Sequence, residues 1–259
     1  MRYHWGSSHP PPRFMSTAAD RLASASSVID DLVTANRILY RQKVVDGFGH
    51  VSARHPLDPE RFLLSQSKAP GTVEKSDILV YGLDGEVIDA QGRRLYLERY
   101  IHSAIYAARP DVMSVVHSHS PAVIPFGIAG VPMRPVMHVC GFLGAHVPVF
   151  EIRDAAGPAS DLLIRSQQLG NAMARVLGDA PVVLMRGHGS TAVADSIPLA
   201  VYRAVYTEVN ARIEADALRL GPVNFLTPEE AAAAAATNAG PNVLTRIWEL
   251  WKSEAQDAS

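Results

Sequence analysis

The chain has 259 residues, and 47% of them are hydrophobic, so it can bury one substantial core. Its 24 basic and 26 acidic residues give a net charge of −2, which lacks the basic excess that nucleic-acid-binding proteins use to neutralise phosphates. The single cysteine, Cys140, excludes an intramolecular disulfide and a zinc site built from thiolates alone, and it favours a reducing cytoplasm.

Hydropathy and local composition set the expected domain organisation. No run of about 18 apolar residues is present to cross a bilayer, and the first residues lack the apolar core of a signal peptide, so we expect a cytoplasmic protein with no membrane partner. Residues 1–17 include three consecutive prolines and several small polar residues, which predicts a disordered tail. Residues 18–259 are expected to form a single catalytic domain.

The first half of that domain predicts one long helix and several short strands. Apolar residues recur at helical spacing from Leu22 to Leu39, which indicates an amphipathic helix that ends near Lys43. Short β-type runs follow at residues 50–54, 62–65, 78–81 and 86–88, with a turn at residues 83–85. These runs predict a small antiparallel sheet. Residues 96–108 are then typical of a helix.

The second half alternates strands and helices without a regular βαβ repeat. Strands are predicted at residues 112–116, 182–185 and 190–194, and helices at residues 161–177 and 198–220. Thr227 opens an alanine-rich helix with a capping-box pattern, and a last helix carries Trp248 and Trp251 on one face. That face is expected to pack on the body of the chain or on a neighbouring subunit. The order of elements favours an α+β layered domain over a doubly wound fold.

Two histidines follow the predicted strand 112–116. If the chain stays extended through His119, the side chains of His117 and His119 point to the same face, and Ser118 points away. Two imidazoles that converge in this way suit one metal ion. From the residues alone, the alternative is a pair of hydrogen-bonded core histidines.

A third imidazole comes from the turn Gly187-His188-Gly189, whose glycines allow a sharp reversal after an apolar strand. Three nitrogen ligands without a thiolate suit Zn²⁺, Mn²⁺, Fe²⁺ or Co²⁺, and they leave coordination positions open, as catalytic sites do. The alternative is a histidine that only caps backbone groups of the turn.

Four motifs together resemble the class II aldolase/adducin family over about residues 18–220. They are Glu98-Arg99-Tyr100-Ile101-His102, Arg109-Pro110-Asp111, Val116-His117-Ser118-His119 and Gly187-His188-Gly189. The resemblance implies a three-layer α/β/α domain with a mainly antiparallel sheet, and a homotetramer. It also implies that His117, His119 and His188 ligate a divalent metal and that Glu98 is the catalytic acid–base. From the residues alone, the alternative for Glu98 is an ordinary surface carboxylate.

The sequence departs from the sugar-phosphate aldolases of this family at their phosphate-binding loops. Residues 49–52 read Gly-His-Val-Ser where those enzymes have an asparagine, and Tyr96-Leu97 stands where they have a serine pair. A phosphate would lose hydrogen bonds whose absence costs about 1–3 kcal/mol each. Cleavage of a sugar phosphate or hydroxy-keto acid by an aldol lyase therefore becomes the alternative function.

Aromatic and cationic residues replace those loops. The predicted substrate-binding residues are His50, Ser67, Lys68, Tyr96 and Arg99. Lys68 or Arg99 would neutralise a carboxylate, whereas His50 and Tyr96 would line an aromatic face. The alternative for the two basic residues is a solvated surface position. His138 and Arg153 are secondary candidates.

The chain is most similar in style to the family's metal-dependent decarboxylases of dihydroxyphthalates and hydroxypyridine dicarboxylates. This resemblance implies non-oxidative loss of CO₂ from an ortho-hydroxy aromatic carboxylic acid through a metal-stabilised enolate, with no organic cofactor. A non-catalytic, adducin-like interaction domain is the second alternative, and the intact histidine triad speaks against it.

Overall fold

The computed structural model of the chain describes residues 18–256. The predicted disordered tail, residues 1–17, lies outside the described residues, as do residues 257–259.

One mixed sheet forms the middle of the fold. Its strands are β1 His50–Arg54, β2 Arg61–Ser65, β3 Ile78–Gly82, β4 Ser114–Ser118, β5 Val149–Phe150, β6 Val182–Met185 and β7 Gly189–Ala194. Their spatial order is β3-β2-β1-β4-β7-β6-β5, so β4 is central. Every neighbouring pair is antiparallel except β5 and β6, which are parallel. The predicted mainly antiparallel sheet is confirmed, and three of the four runs predicted as a small sheet form one end of it.

Eight α-helices surround the sheet within residues 18–256. They are α1 Ala18–Arg41, α2 Arg99–Ala108, α3 Ile124–Ile128, α4 Arg153–Ala156, α5 Gln167–Leu177, α6 Ile197–Leu220, α7 Pro228–Asn238 and α8 Pro241–Gln256. The capping box predicted at Thr227 is confirmed, because its hydroxyl accepts the N–H of Glu230 while the Glu230 carboxylate accepts the N–H of Thr227.

Four predicted elements differ from the structure. The strand predicted over 112–116 is observed two residues later, at Ser114–Ser118, so that it includes His117. Residues 86–88 form no strand, since Val87 makes only an isolated bridge to Tyr81. The helix predicted over 161–177 begins at Gln167, because Leu162 has a φ of +69°, which a helix cannot accommodate. The helix predicted over 96–108 begins at Arg99, after Glu98 takes a non-helical conformation.

The strands alternate between two buried cores. Val51, Ala53 and Val116 face a core that they share with α1, α6 and α8. Val115 and Val193 face the opposite core, which α2 and α5 cover. Helices therefore pack on both faces of the sheet, and the expected α/β/α layering is confirmed.

The two tryptophans of α8 lie in the first core. Trp248 and Trp251 are each 7% exposed, and the Trp251 ring centroid is 6.2 Å from that of Tyr206 on α6. Their shared face thus packs on the body of the same chain. Among residues 18–256, no helix combines the length and the apolar character that a membrane span requires. The cytoplasmic location expected from the sequence stays a prediction.

The close packing of α2 and α5 depends on Gly170, where an added Cβ would lie 2.3 Å from the carbonyl oxygen of Tyr100. We expect Gly170→Ala to lower the free energy of unfolding by about 1–3 kcal/mol, because the two helices must separate to accept the methyl group. Urea denaturation measures this change. Gly47→Ala is the control, since nothing lies within 4 Å of a Cβ at that position. Equal stability of the two variants would contradict the close packing.

Candidate active site

Four side chains meet beside the end of the central strand β4. His117 belongs to β4, and His119 follows the strand directly. His188 lies in the turn between β6 and β7, and Glu98 immediately precedes α2. One ligand atom from each of these residues lies within 4.8 Å of the others, so the four could hold a metal ion.

The three imidazoles approach one another through the same ring atom. The Nε2 atom of His119 is 3.1 Å from Nε2 of His117 and 2.8 Å from Nε2 of His188. Nitrogens bound to one zinc ion at about 2.1 Å in tetrahedral geometry lie about 3.4 Å apart. The observed separations are slightly shorter, and small outward movements would admit a cation.

Backbone carbonyls determine which nitrogen of two of these rings carries the proton. Nδ1 of His117 donates to the carbonyl oxygen of Ser190 over 3.1 Å, and Nδ1 of His188 donates to that of Leu162 over 2.8 Å. Because a carbonyl only accepts, the neutral form of each ring carries its proton on Nδ1 and directs the Nε2 lone pair to the centre. Lone pairs directed at one point repel each other unless a cation lies between them. The donor set therefore fits a divalent metal ion.

Electrostatics at the cluster follow from burial and from Glu98. Burial, together with the neighbouring His117 and His188 rings, lowers the pKa of His119 to about 4. Burial also lowers the pKa of His117, whereas at His188 contact with Glu98 outweighs burial and raises the pKa. The pKa of Glu98 is lowered, because its contacts with the two histidines outweigh the effect of burial. Glu98 is therefore an ionised carboxylate in this setting.

Both carboxylate oxygens of Glu98 have contacts within the site. Its Oε1 accepts the backbone N–H of Ile164 over 3.0 Å, while Oε2 lies 3.6 Å from Nε2 of His117 and 3.3 Å from Nε2 of His188. The residue is 7% exposed. One oxygen is thus fixed by the backbone, and the other borders the position that a cation would take.

Glycines allow the turn that carries His188 to approach β4. Gly187 has a φ of +66°, and a Cβ at Gly189 would lie 2.0 Å from the carbonyl oxygen of Ser118. Only glycine fits at Gly189. On the other side of the sheet, Ser120 donates to the buried carboxylate of Glu208 on α6 and so fixes the segment that follows His119. No local pattern predicts this contact between Ser120 and Glu208.

A cavity of about 470 Å³ borders the cluster. Glu98 and His119 belong to its wall, and four of the five predicted substrate-binding residues line it, namely His50, Ser67, Lys68 and Tyr96. The rings of His50 and Tyr96 have centroids 4.5 Å apart. Phe48, Leu97 and Leu163 supply apolar wall. The cavity therefore offers an aromatic and apolar surface beside the histidines.

The cationic groups predicted for substrate binding have protein partners. Lys68 Nζ lies 2.7 Å from a carboxylate oxygen of Asp77. Arg99 does not line the cavity, because its guanidinium donates to the carbonyl of Gly85 and to the hydroxyl of Tyr100 and pairs with Glu86.

The secondary candidates also lie away from the cavity wall. Arg153 pairs with Glu151. His138 opens a 3-10 helix, where its carbonyl oxygen accepts from the side chain of Asn238.

A buried hydrogen-bonded network, which sequence reasoning missed, backs the cavity wall. His50 Nδ1 lies 2.6 Å from Nε2 of His102, and the Ser52 hydroxyl lies 2.6 Å from Nδ1 of His102 and 2.8 Å from the hydroxyl of Tyr106. Burial lowers the pKa of His102 to about 3 and also lowers that of His50, so both rings are neutral at pH 7. The sequence signal was present, since residues 50 and 52 share a strand face and residues 102 and 106 share a helix face.

Comparisons with known proteins agree with this geometry. Residues 30–215 match the family described as "Class II Aldolase and Adducin N-terminal domain". The chain is 38% identical to "Decarboxylase tropJ" of Talaromyces stipitatus, over 90% of this chain and 95% of that protein. It is 32% identical to the "3,4-dihydroxyphthalate decarboxylase" of Arthrobacter keyseri, over 70% and 74% of the two chains.

Among solved structures, an L-fuculose 1-phosphate aldolase from Glaciozyma antarctica superposes with a TM-score of 0.75 at 22% identity, covering 96% of this chain and 94% of that one. At that identity the likeness shows the fold alone. The extent of the family match, from α1 into α6, includes every residue of the histidine and glutamate cluster. The chain therefore belongs to the class II aldolase and adducin family, as an enzyme of the lyase type.

Proposed function

We propose that the chain is a metal-dependent, non-oxidative decarboxylase of an aromatic carboxylic acid that carries a hydroxyl ortho to the carboxylate. The observation that carries the proposal is the opening of the cluster of three histidines and Glu98 onto a cavity with aromatic walls. The names of the two relatives, both decarboxylases, support the same reaction. No organic cofactor is part of the proposal.

The Nε2 atoms of His117, His119 and His188 are proposed to hold one Zn²⁺, Mn²⁺, Fe²⁺ or Co²⁺ ion. A divalent cation held there would supply Lewis-acid chemistry to the carboxylate and the neighbouring hydroxyl oxygen of the substrate. Because His117 and His188 are oriented by carbonyl groups rather than by mobile side chains, the Nε2 lone pairs stay directed at the centre.

Glu98 is proposed to transfer the proton that the reaction requires. Departure of CO₂ leaves an electron pair on the ring carbon, which must then receive a proton. The contact between Ile164 N–H and Oε1 fixes the carboxylate, so that the ionised Oε2 would accept the proton of the substrate's ortho hydroxyl at the wall of the cavity and return it to that carbon. The Tyr96 ring, which lines the same cavity beside His50, would pack against the aromatic face of the substrate.

Aldol cleavage of a sugar phosphate is less well served by this cavity. A phosphate placed near Lys68 would also meet the carboxylate of Asp77, which already pairs with that lysine. Tyr96 directs its hydroxyl to the backbone carbonyl of Lys68. Lys68 and Tyr96 thus bond to other protein groups and are not free to bind a phosphate dianion.

The reaction is tested by anaerobic incubation of the metal-loaded protein with hydroxylated aromatic mono- and dicarboxylates and, in parallel, with phosphorylated ketoses. We expect CO₂ from acids with an ortho hydroxyl and none from the meta isomers, because only neighbouring oxygens can reach one cation together. Nicotinamide, flavin and pyridoxal phosphate are left out. Release of an aldehyde from the ketoses, with every aromatic acid intact, would restore the aldolase alternative.

The ligand assignment predicts about one divalent metal ion per chain in the purified protein. His117→Ala should lose most of this metal, because two remaining imidazoles bind a cation far more weakly than three. Elemental analysis of the dialysed protein measures the stoichiometry. His146→Ala is the control, since that histidine is exposed and lies outside the cluster. Full occupancy in His117→Ala would be incompatible with His117 as a ligand.

The proton-transfer role predicts a different outcome for Glu98→Gln. This variant should keep its metal ion but lose turnover by about 10²–10⁴-fold, because the amide occupies the same space and cannot exchange a proton. The rate of CO₂ release and the metal content are measured on the same sample. A variant with full metal content and undiminished turnover would remove Glu98 from the mechanism.

We also propose a homotetramer, as the family resemblance implies. Support comes from large apolar side chains that are exposed on the single chain, namely Tyr40, Ile128, Leu220 and Leu250. Light scattering at micromolar concentration should give a mass of four chains of 28.0 kDa. A monomer mass would contradict this assembly.

A further inference from the structure

Sheet register places His50 directly beside a proposed metal ligand. In the antiparallel pair of β1 and β4, His50 is opposite His117, so the two side chains project from the same face of the sheet. Their ring centroids are 5.0 Å apart. His50 is 4% exposed and lines the cavity. It therefore lies next to the metal position and can touch whatever occupies the cavity.

Behind His50, the spacing of residues along β1 matches the spacing of residues along α2. Two residues along β1 advance by about 6.8 Å, and four residues along α2 advance by about 6 Å. Ser52 therefore reaches Tyr106 at the same depth at which His50 reaches His102. Arg54, the next residue on this strand face, donates to the carbonyl oxygen of Tyr106 and so ties the end of α2 to the same strand. These contacts leave the His50 ring little freedom to turn.

Only one assignment of donors and acceptors satisfies every buried group of this network. Among residues 18–256, Ser52 is the only side chain that can accept the Tyr106 hydroxyl proton. Ser52 must then donate its own proton to Nδ1 of His102. The reverse direction would leave the buried Tyr106 hydroxyl without an acceptor, which costs about 1–3 kcal/mol.

The same reasoning fixes the form of both histidines. With Nδ1 of His102 accepting, its proton lies on Nε2 and is donated to Nδ1 of His50. His50 in turn carries its proton on Nε2. That atom has no hydrogen-bond partner among the described residues, although the ring lines the cavity. An N–H donor of fixed direction thus faces the substrate position.

We propose that His50 is a specificity-determining residue that donates its Nε2–H to an oxygen substituent of the substrate ring, adjacent to the two oxygens that face the metal position. The inference rests on the proposed function and deepens it. The donor is neutral, and the nearest cations are engaged elsewhere, Lys68 with Asp77 and Arg99 with Glu86. The preferred substrate class is therefore an aromatic acid with a third ring oxygen next to the ortho hydroxyl and carboxylate pair.

Binding of two inert phenols tests this inference without any reaction. Catechol has two adjacent hydroxyls, and pyrogallol has a third one beside them. Calorimetry is performed anaerobically on the metal-loaded protein, and metal content is measured for each variant. We expect wild-type protein to bind pyrogallol about 3- to 10-fold more tightly than catechol, as one additional hydrogen bond contributes. His50→Leu should remove the preference, so that the two phenols bind with equal affinity.

Two further variants separate the hydrogen bond from simple shape. His50→Gln places an amide N–H near the position of Nε2 and should restore part of the preference. Ser52→Ala removes the donor to His102, so His102 is free to reverse its proton, and the preference should fall without loss of metal. His146→Leu, at an exposed site, is the control and should keep the full preference.

The outcomes are distinct from those that test the reaction. Equal affinities of the two phenols for wild-type protein, or a preference that survives in His50→Leu, would overturn the role of His50 even if CO₂ is released from aromatic acids. A preference that depends on His50, in a protein that decarboxylates none of the acids, would support the inference and reject the proposed reaction.

Discussion

The antiparallel pairing of β4 with both of its neighbours is the constraint on which the site depends. His117 is opposite His50 of β1 on one side and Thr191 of β7 on the other. The first pairing places a cavity-lining ring beside the proposed metal position. The second places the Ser190 carbonyl where it accepts from Nδ1 of His117. Because side chains alternate along a strand, a shift of one residue in either register would turn His117 into the opposite core.

Different contacts hold the site on its β7 side and on its α2 side. On the β7 side, close approach of two backbones at Gly189 and Ser118 brings the His188 turn to the end of β4. On the α2 side, the Glu98 carboxylate and the network of His50, His102, Ser52 and Tyr106 join the helix to the sheet. The first contact is steric and the second is polar and buried. Both position ring nitrogens and carboxylate oxygens rather than contribute apolar packing.

Much of this architecture could be predicted from the sequence, and the failures have physical causes. The strand at residues 182–185 was predicted with its observed bounds, because an apolar β-branched run between turns has few alternatives. The beginning of α5 was wrong by six residues, because nothing local signals that Leu162 adopts a positive φ. That conformation is stabilised from a distance, since the Leu162 carbonyl accepts from His188.

At the candidate site too, features set by local sequence pattern were predicted, and features set by distant contacts were not. Convergence of His117, His119 and His188 was expected from strand periodicity and from the glycine turn, and the structure brings their Nε2 atoms together. The ion pairs of Lys68 and Arg99 could not be predicted, because their partners Asp77 and Glu86 come from other segments of the chain. His102 belongs to the family motif on α2, but the motif does not predict its buried contact with Ser52, which also bonds Tyr106.

X-ray absorption spectroscopy at the edge of the bound metal, in the presence and absence of an ortho-hydroxy aromatic acid, tests whether the three histidines hold a metal that binds the substrate. We expect three imidazole nitrogens at about 2.0–2.1 Å from the metal, with oxygen ligands replaced when the acid is added. The meta isomer should leave the spectrum unchanged. A metal without three imidazole ligands, or a spectrum that does not respond to the ortho-hydroxy acid, would contradict the account.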